Sequence, residues 1–172
     1  MATLHHNISG ELTQELLAPG DGVNVSKISL TNIQKVSPCK VDLFIQKALT
    51  GKFYLLKGVE IPIGATLIYN DIKFSNIANE FGLYIKLTDG ATFTLTGSID
   101  VSGTNTDVPG SGTAFLSELS IGDEVVVSGE TRIVSSITSD TAAVVSVAWG
   151  SDLANDTTPD CNPTALVDVI IN

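Results

Sequence analysis

The chain has 172 residues, of which 43% are hydrophobic, 6% aromatic and 16% charged, and its formal net charge is −10. This composition is that of a folded protein, because disordered chains combine low hydrophobicity with high charge. The length suits one compact domain or two very small ones. A single arginine and an acidic balance argue against a nucleic-acid partner and against an anionic membrane, since both need clustered basic side chains.

The β-branched residues valine, isoleucine and threonine make up 50 of the 172 positions. Such residues favour strands, because their branched side chains pack well on a pleated surface. No long window shows the 3.6-residue spacing of an amphipathic helix, and no apolar run approaches the roughly 18 residues of a membrane helix. The composition therefore predicts an all-β protein without a membrane-spanning helix.

In residues 1–90, alternation of apolar and polar side chains predicts strands over 23–31, 41–45, 52–57, 66–69 and 83–88. The alternation changes phase at Ser26 and Lys27, which predicts a β-bulge. Both faces of the strand over 52–57 (KFYLLK) are partly apolar. We expect these strands to form an antiparallel β-sandwich.

The charge balance changes near residue 90. Residues 1–90 carry eight acidic and eight basic side chains, whereas residues 91–153 carry eight acidic side chains and one basic. In the acidic region, short strands are predicted over 99–101, 125–127, 132–137 and 143–147, with a helical turn within 113–119 and a hairpin turn at 128–131. This density of short strands and tight turns predicts a small SH3-like β-barrel.

The last apolar segment, residues 166–171 (LVDVII), has no evident partner strand in the acidic region. Since an unpaired apolar strand is an aggregation hazard, we expect it to return to the first sheet after a polar connector over 151–163. The predicted organisation is a discontinuous β-sandwich of residues 1–90 plus 160–172. An acidic β-barrel module with its connector, residues 91–159, is inserted between these segments.

Two stretches resemble proteins of tailed bacteriophages. The first, within 23–70, is similar to a β-sandwich of virion proteins, notably those of cyanophages, at residues 27–32 (KISLTN), 41–45 (VDLFI), 54–57 (YLLK) and 61–67 (IPIGATL). The second, within 102–148, resembles a small β module of tail and fibre proteins at residues 112–115 (GTAF), 119–123 (LSIGD) and 133–141 (IVSSITSDT). The resemblance implies a structural role and transfers no catalytic residues.

Few residues offer catalytic chemistry. The histidines, His5 and His6, are expected in an N-terminal tail, where an oriented imidazole is rare. Cys39 and Cys161 lack the spacing of a zinc or redox site, and we favour free thiols over a disulfide. The adjacent carboxylates Asp123 and Glu124 are expected to point to opposite faces and so not to share an acid–base site.

The acidic connector offers one candidate metal site. Asp152, Asp156 and Asp160 recur every four residues and could supply oxygen ligands to calcium. Their spacing is not that of a calcium-binding loop, so a solvated connector is the favoured interpretation. We predict no cofactor, no metal and no catalytic residue.

Aromatic side chains supply the candidate contact residues. Trp149, Tyr54, Tyr69 and Tyr84 could stack on sugars or contact a partner protein, although packing is the commoner role of an aromatic in a strand. Trp149 ends its predicted strand, so we expect it to be partly exposed. The lysines are confined to the first region, which makes the molecule electrically asymmetric.

Together these features predict a non-enzymatic structural component of a phage virion, as a capsid decoration, a neck part or a tail or fibre part. We expect it to be assembled in the host cytoplasm, to bind other virion proteins and to self-associate as a homo-oligomer such as a trimer. The alternative is a carbohydrate-binding module that recognises a host-surface glycan. An enzyme such as a hydrolase is the weakest alternative, because no nucleophile is paired with a base.

Overall fold

The computed structural model describes residues 3–77 and 80–172, and their regular structure is antiparallel β-strand except for one helical turn. The predicted all-β class is confirmed. The strands of the first half are β1 (Leu4–Ser9), β2 (Gln14–Leu17), β3 (Asn24–Val25), β4 (Ile28–Asn32), β5 (Cys39–Gln46), β6 (Phe53–Ile61), β7 (Thr66–Tyr69), β8 (Phe74–Ser75) and β9 (Gly82–Thr88).

The second half contains shorter strands and the helical turn. The elements are β10 (Phe93–Thr94), β11 (Ser98–Val101), β12 (Asp107–Ser111), α1 (Phe115–Glu118), β13 (Glu124–Val127), β14 (Glu130–Ser139), β15 (Ala142–Val145), β16 (Leu153–Asp156), β17 (Asp160–Asn162) and β18 (Leu166–Ile171). Helix α1 has four residues, and in the part of the chain that the structure describes no helix is long and apolar enough to cross a membrane.

The chain forms two compact units. The first unit comprises Met1–Gln34, Pro38–Asp89 and Ala165–Asn172, and the second comprises Lys35–Ser37 and Gly90–Thr164. The sequence prediction places residues 160–164 with the first region, but β17 pairs with β10 and β13 inside the second unit. The return into the first unit therefore begins at Ala165.

The first unit is built from two four-stranded antiparallel sheets, in the orders β1-β18-β4-β7 and β2-β9-β5-β6, with a small β3-β8 pair beside them. Alternate residues of both sheets point into one apolar core, which makes the unit a β-sandwich. The buried core residues are Ile8, Leu16, Leu17, Val25, Ile28, Leu30, Cys39, Val41, Leu43, Ile61, Ile72, Leu83, Ile85, Leu87, Ala165, Val167, Val169 and Ile171.

Strand β18 lies between β1 and β4 in the first sheet. It pairs along its whole length with β1, from Leu4 opposite Ile171 to Ser9 opposite Leu166, and on its other side with β4. This confirms the expected return of the last apolar segment to the first sheet. Its odd-numbered side chains are buried, because period-two alternation turns them inward while Asp168 and Ile170 face outward.

The phase change predicted at Ser26 and Lys27 is also confirmed. The backbone amides of both residues donate to the single carbonyl of Asn172, at 2.8 and 3.0 Å. Two residues therefore oppose one, which is the pattern of a β-bulge and separates β3 from β4. The histidines are not in a tail, as the sequence suggested, because both lie on β1.

The second unit contains one eight-stranded antiparallel sheet in the order β10-β17-β13-β14-β15-β12-β11-β16. The sheet curls around a separate core, with α1 packed against β14. The predicted helical turn and the hairpin of β13 and β14 are confirmed. The buried core residues are Leu95, Ile99, Val101, Val108, Phe115, Leu119, Val125, Val127, Val134, Ala143, Val145, Trp149 and Cys161.

No closed barrel is found in the described part of this unit. Strands β10 and β16 are the two ends of the sheet. Along the chain, strand structure is interrupted between β10 and β11, at Gly97, whose φ is 83°. Within this interruption, the Leu95 amide donates one backbone hydrogen bond, 2.7 Å long, to the Pro159 carbonyl. The predicted connector over 151–163 is likewise wrong, since this stretch forms β16 and β17.

The central position of β18 leads to a stability prediction. We expect Val169→Ala to lower the free energy of unfolding by about 1–3 kcal/mol, because it removes buried carbon atoms from the sandwich core. The matched control, Ile170→Ala, removes more atoms from the outward face and is expected to cost less than about 1 kcal/mol. Urea unfolding measures both, and equal losses would contradict the placement of β18.

Candidate functional site

The four aromatic residues singled out from the sequence lie in different environments. Trp149 is 2% exposed and belongs to the core of the second unit, so the expectation that it is partly exposed is wrong. The guanidinium of Arg132 lies 5.6 Å from the centre of its ring. Tyr69 is half-buried against the sandwich core. Trp149 therefore presents no open ring to a ligand.

Tyr84 and Tyr54 flank Phe44 on the outer face of the second sheet of the sandwich. The strand register places Phe44 opposite both tyrosines, on β9 and on β6. Phe44 stacks on Tyr84 with ring centres 5.8 Å apart and packs at a tilt against Tyr54 at 5.6 Å. Phe44 is fully buried although it faces away from the core, because its neighbours on this face cover it.

Lysine ammonium groups lie over these aromatic rings. The Nζ atom of Lys52 is 4.2 Å from the ring centre of Phe44, and that of Lys57 is 4.8 Å from the ring centre of Tyr54. Such cation–π contacts contribute about 0.5–1 kcal/mol each at exposed sites. We call this surface the lysine–aromatic face and define it by Phe44, Tyr54, Tyr84, Lys52 and Lys57.

A second aromatic and cationic cluster lies at the end of this sheet, on its inward side, because Phe53 lies opposite the inward-facing Ile45 in the register of β5 and β6. Phe53 and Phe81 meet edge to face with ring centres 5.9 Å apart, and Lys47 lies 5.3 Å from the ring centre of Phe81. Phe53 is 56% exposed and Tyr54 is 42% exposed. The two side chains point to opposite sides of β6, so Tyr54 alone contributes an exposed ring to the lysine–aromatic face.

Two bulges in β6 shape this face. Leu55 is an extra residue, because Leu43 pairs with Leu56 while Phe44 pairs with Tyr54. A second irregularity lies at Gly58, whose φ of 60° suits glycine and whose amide donates to Asp42 Oδ1 at 2.7 Å. Bulges re-aim side chains and weaken an edge strand as a template for pairing with another chain. Strand β6 therefore offers side chains rather than a free backbone edge.

Gly82 makes room for Tyr84. A Cβ atom at Gly82 would lie 2.8 Å from the Tyr84 hydroxyl oxygen, closer than real contacts allow. Glu15 lies opposite Tyr84 in the register of β2 and β9. Burial, together with the hydrogen bond and negative charge of Glu15, raises the pKa of Tyr84 above its ordinary value. Tyr84 is thus held as a neutral donor within the ladder of rings.

The acidic side chains of the second unit mostly serve as local hydrogen-bond acceptors. Asp152 accepts from the Gly103 amide at 2.7 Å, and Asp160 accepts from the Thr94 hydroxyl at 2.8 Å. Asp156 accepts from both the amide and the hydroxyl of Ser128 and of Thr158. The three carboxylates considered for calcium therefore bind separate partners, and no group of metal-ligating side chains occurs within residues 3–77 and 80–172.

Asp156 holds the tip of the β13–β14 hairpin. The turn residues Ser128 and Gly129 both have positive φ, at 48° and 85°, which is the backbone of a type I′ turn. Partial burial acts to raise the pKa of Asp156, but hydrogen bonds from Thr158 and Ser128 outweigh it and hold the pKa below the ordinary value of 3.8.

Asp123 and Glu124 have separate partners, as predicted. Asp123 is fully buried and accepts from the amides of Ser120 and Thr164, at 2.7 and 2.9 Å. Glu124 instead accepts from the side-chain amide of Asn162 at 3.1 Å. The two carboxylates stabilise different parts of the second unit and do not form an acid–base pair.

The cysteines are buried free thiols. Burial raises the pKa of Cys39 to about 11. Burial, together with the charge and hydrogen bond of Asp123, also raises the pKa of Cys161. Since the thiolate is the reactive form, neither thiol is an effective nucleophile at neutral pH.

The histidines also lack a catalytic partner on their strand. Asp168, the nearest carboxylate in the register of β1 and β18, accepts a hydrogen bond from the Asn7 side chain at 2.8 Å. No hydrogen bond joins it to His5 or His6 in the described structure. The arrangement differs from a triad, in which a carboxylate orients the imidazole.

Comparison with known protein families, with curated proteins and with solved structures finds no match. The candidate site therefore depends on its geometry and on the residues that the strands bring together.

Sequence reasoning found part of this site. It named Tyr54 and Tyr84 but not Phe44, Lys52 or Lys57, which complete the lysine–aromatic face. The available signal was the KFYLLK segment, which puts aromatic residues between two lysines on one strand. Which lysine covers which ring depends on the bulges and on the cross-strand register, and neither is visible in the segment itself.

The capping role of Asp156 predicts a pH-dependent contribution to stability. At neutral pH, Asp156→Asn should lower the free energy of unfolding by about 1–2 kcal/mol, because hydrogen bonds to a charged acceptor are lost. Because the folded pKa is lowered, this contribution is present above the ordinary value of 3.8 and disappears as pH falls through the lowered value.

Thermal unfolding between pH 7 and pH 2 measures this difference. The matched control is Asp100→Asn, since the Asp100 carboxylate accepts no hydrogen bond from any described residue. A difference between wild type and Asp156→Asn that stayed constant down to pH 2 would contradict the assignment.

Burial of the thiols predicts slow labelling of the native protein. At pH 8 a thiol with the pKa of Cys39 is ionised in roughly one molecule in a thousand, and the side chain is shielded from solvent. We expect a thiol-reactive chromophore to label neither cysteine in the native state within minutes and both in denaturant. Rapid native labelling of either cysteine would show that its part of the core opens.

Proposed function

We propose that the chain is a non-enzymatic structural component of a phage virion that acts through protein–protein assembly. The observation that carries the proposal is the lysine–aromatic face. Aromatic residues are enriched at protein interfaces, and here the outer side of a β-sandwich presents the exposed Tyr54 ring. The strand and turn motifs that resemble phage virion proteins support the same assignment.

The chemistry of the described residues supports assembly over catalysis. The thiols are buried with raised pKa values, and the carboxylates Asp123 and Asp156 are engaged by backbone amides. Residues that serve as caps stabilise turns and strand ends, which is the requirement of a durable structural part. We include self-association into a homo-oligomer such as a trimer in the proposal, and its place could be a capsid decoration, a neck part or a tail or fibre part.

A carbohydrate-binding module is the second candidate, and the exposure of Tyr54 favours it. Sugar stacking needs an open ring face. Lys57 lies over the Tyr54 ring and Phe44 packs against it, while Tyr84 stacks on Phe44. With Trp149 in the core and the rings of Tyr54 and Tyr84 already in contact with their neighbours, assembly is the better-supported function.

Quantitative mass spectrometry of virions tests the proposal. If the chain is a virion part, particles purified from its natural source will contain it in a fixed ratio to the other structural proteins through repeated density-gradient steps. Electron cryomicroscopy of the same particles would then show its position. Loss of the chain during purification, together with strictly monomeric behaviour in solution, would contradict the proposal.

A glycan array separates the second candidate from the first. Binding that is lost in Tyr54→Ala but kept in Tyr69→Ala would favour carbohydrate recognition, because only Tyr54 is substantially exposed. The proposed assembly role predicts no saturable glycan binding by the wild-type chain.

A further inference from the structure

The lysine–aromatic face carries two ammonium groups, those of Lys52 and Lys57, that lie over aromatic rings. Within the described residues, neither Lys52 nor Lys57 forms an ion pair. Three carboxylates lie on this side of the sheet: Asp42 accepts from the Gly58 amide, Glu15 bonds to Tyr84, and Glu60 lies opposite Lys40 in the register of β5 and β6. The face therefore presents ammonium groups and apolar rings together, and a partner that fits it must be acidic and partly apolar.

The second unit has the opposite charge character. It holds ten acidic and two basic residues, a formal net charge of −8, whereas the first unit holds nine acidic and seven basic residues, a net charge of −2. Eight of the ten acidic side chains accept hydrogen bonds within the second unit: Glu118, Asp123, Glu124, Glu130, Asp140, Asp152, Asp156 and Asp160.

The two exceptions are Asp100 and Asp107, whose carboxylates accept no hydrogen bond from the described residues. They lie on the neighbouring strands β11 and β12 and point outward, because the alternating residues Ile99 and Val108 are buried in the core. Both carboxylates flank the exposed Pro109. Shallow grooves of about 460 and 290 Å³ lie at this proline, the first lined by Asp100 and the second by Asp107.

We propose that the lysine–aromatic face of one copy docks on the Asp100–Asp107 surface of a second copy. This inference deepens the proposed function, and it rests on the assembly role stated there. Lys52 and Lys57 would face two carboxylates that accept no hydrogen bond from the described residues, and the exposed ring of Tyr54 would cover Pro109. The occupant is a second copy because the same chain supplies both complementary surfaces.

The contact joins different surfaces on the two copies, so it is heterologous. Heterologous contacts repeat head to tail and close into a ring when the rotation between copies allows it, as in a trimer. A symmetric contact between two lysine–aromatic faces would instead oppose lysine to lysine, which costs several kcal/mol. Pairing through the backbone edge of β6 is disfavoured by its two bulges.

The first arm of the test measures self-association by sedimentation equilibrium of the full chain. The wild-type association constant should fall at least tenfold between about 0.05 M and 0.5 M salt, because screening weakens contacts between exposed charges. The double variants Lys52→Glu/Lys57→Glu and Asp100→Lys/Asp107→Lys should each self-associate more than about a hundredfold more weakly, since each one opposes like charges.

The second arm mixes the two variants in equal amounts. One variant retains the lysine–aromatic face and the other retains the Asp100–Asp107 surface, so the mixture should recover association that neither variant shows alone. Recovery also demonstrates that both variants are folded. A symmetric contact does not predict this recovery of association in the mixture, because a contact between identical faces would involve only one of the two substituted surfaces.

A matched control is Lys27→Glu/Lys73→Glu, which changes the net charge equally but lies outside the lysine–aromatic face. It should associate as the wild type does. Equal weakening by this control, or failure of the mixed variants to associate when circular dichroism shows both to be folded, would overturn the inference.

The failure of this inference and that of the proposed function are distinguishable. A wild-type chain that is monomeric at all concentrations, yet present in purified virions at a fixed ratio, overturns the docking of two copies and leaves the virion role standing. A chain absent from virions whose mixed variants still recover association supports the contact and overturns the virion role.

Discussion

The structure of the first unit depends on β18, the last strand in the chain. It lies between β1 and β4 and forms a row of backbone hydrogen bonds with each of them. Its inward side chains Val167, Val169 and Ile171 are also part of the sandwich core. Without β18, β1 would have no partner and β4 would have a free edge. The sandwich therefore cannot be completed until the chain has passed through the second unit.

Closing so long an excursion would be slow for an unstructured chain, because loop entropy must be lost before the pairing is gained. The second unit lowers this cost by its own topology. Phe93 pairs with Cys161 through β10 and β17, and the Thr92 hydroxyl bonds to Asn162 at 2.6 Å, so the two ends of the insertion lie side by side. At the return, Asp123 holds the Thr164 amide within the second unit, and Asp89 accepts from the Ala165 amide at 2.7 Å within the first. Buried or half-buried carboxylates thus secure both sides of the return.

The two units use charge differently. In the second unit, most carboxylates accept hydrogen bonds from turns and strand ends, where an ionised acceptor is stronger than a neutral one. In the first, lysine ammonium groups lie over aromatic rings on an outer sheet face. Net charge alone does not separate these uses. What distinguishes Asp100 and Asp107 from Asp156 is whether a backbone amide points at the carboxylate.

Much of the fold could be predicted from local pattern. The strand over 66–69 matches β7, and those over 41–45 and 83–88 lie within β5 and β9, because apolar inward residues recur at every second position. Other strands escaped prediction for physical reasons. Strands β16 and β17 are short and polar and are held by pairing with β11, β10 and β13 rather than by propensity. In β1 the exposed His5 is followed by the half-buried His6, so the two sides of the strand carry the same residue type and the sequence shows no alternation there.

By itself, the sequence determined the all-β class, the charge asymmetry and the return of the last strand, because these follow from residue type, local period and the need to pair an apolar strand. Only the tertiary structure decided where the units divide, that the sheet of the second unit stays open, and that Trp149 lies in a core. It also decided that Phe44 is buried on an outer face beneath Tyr54, Tyr84 and Lys52. These outcomes depend on the register and the bulges between strands that are far apart in the chain. A local sequence pattern holds no information about which residue of another strand will lie opposite a given side chain.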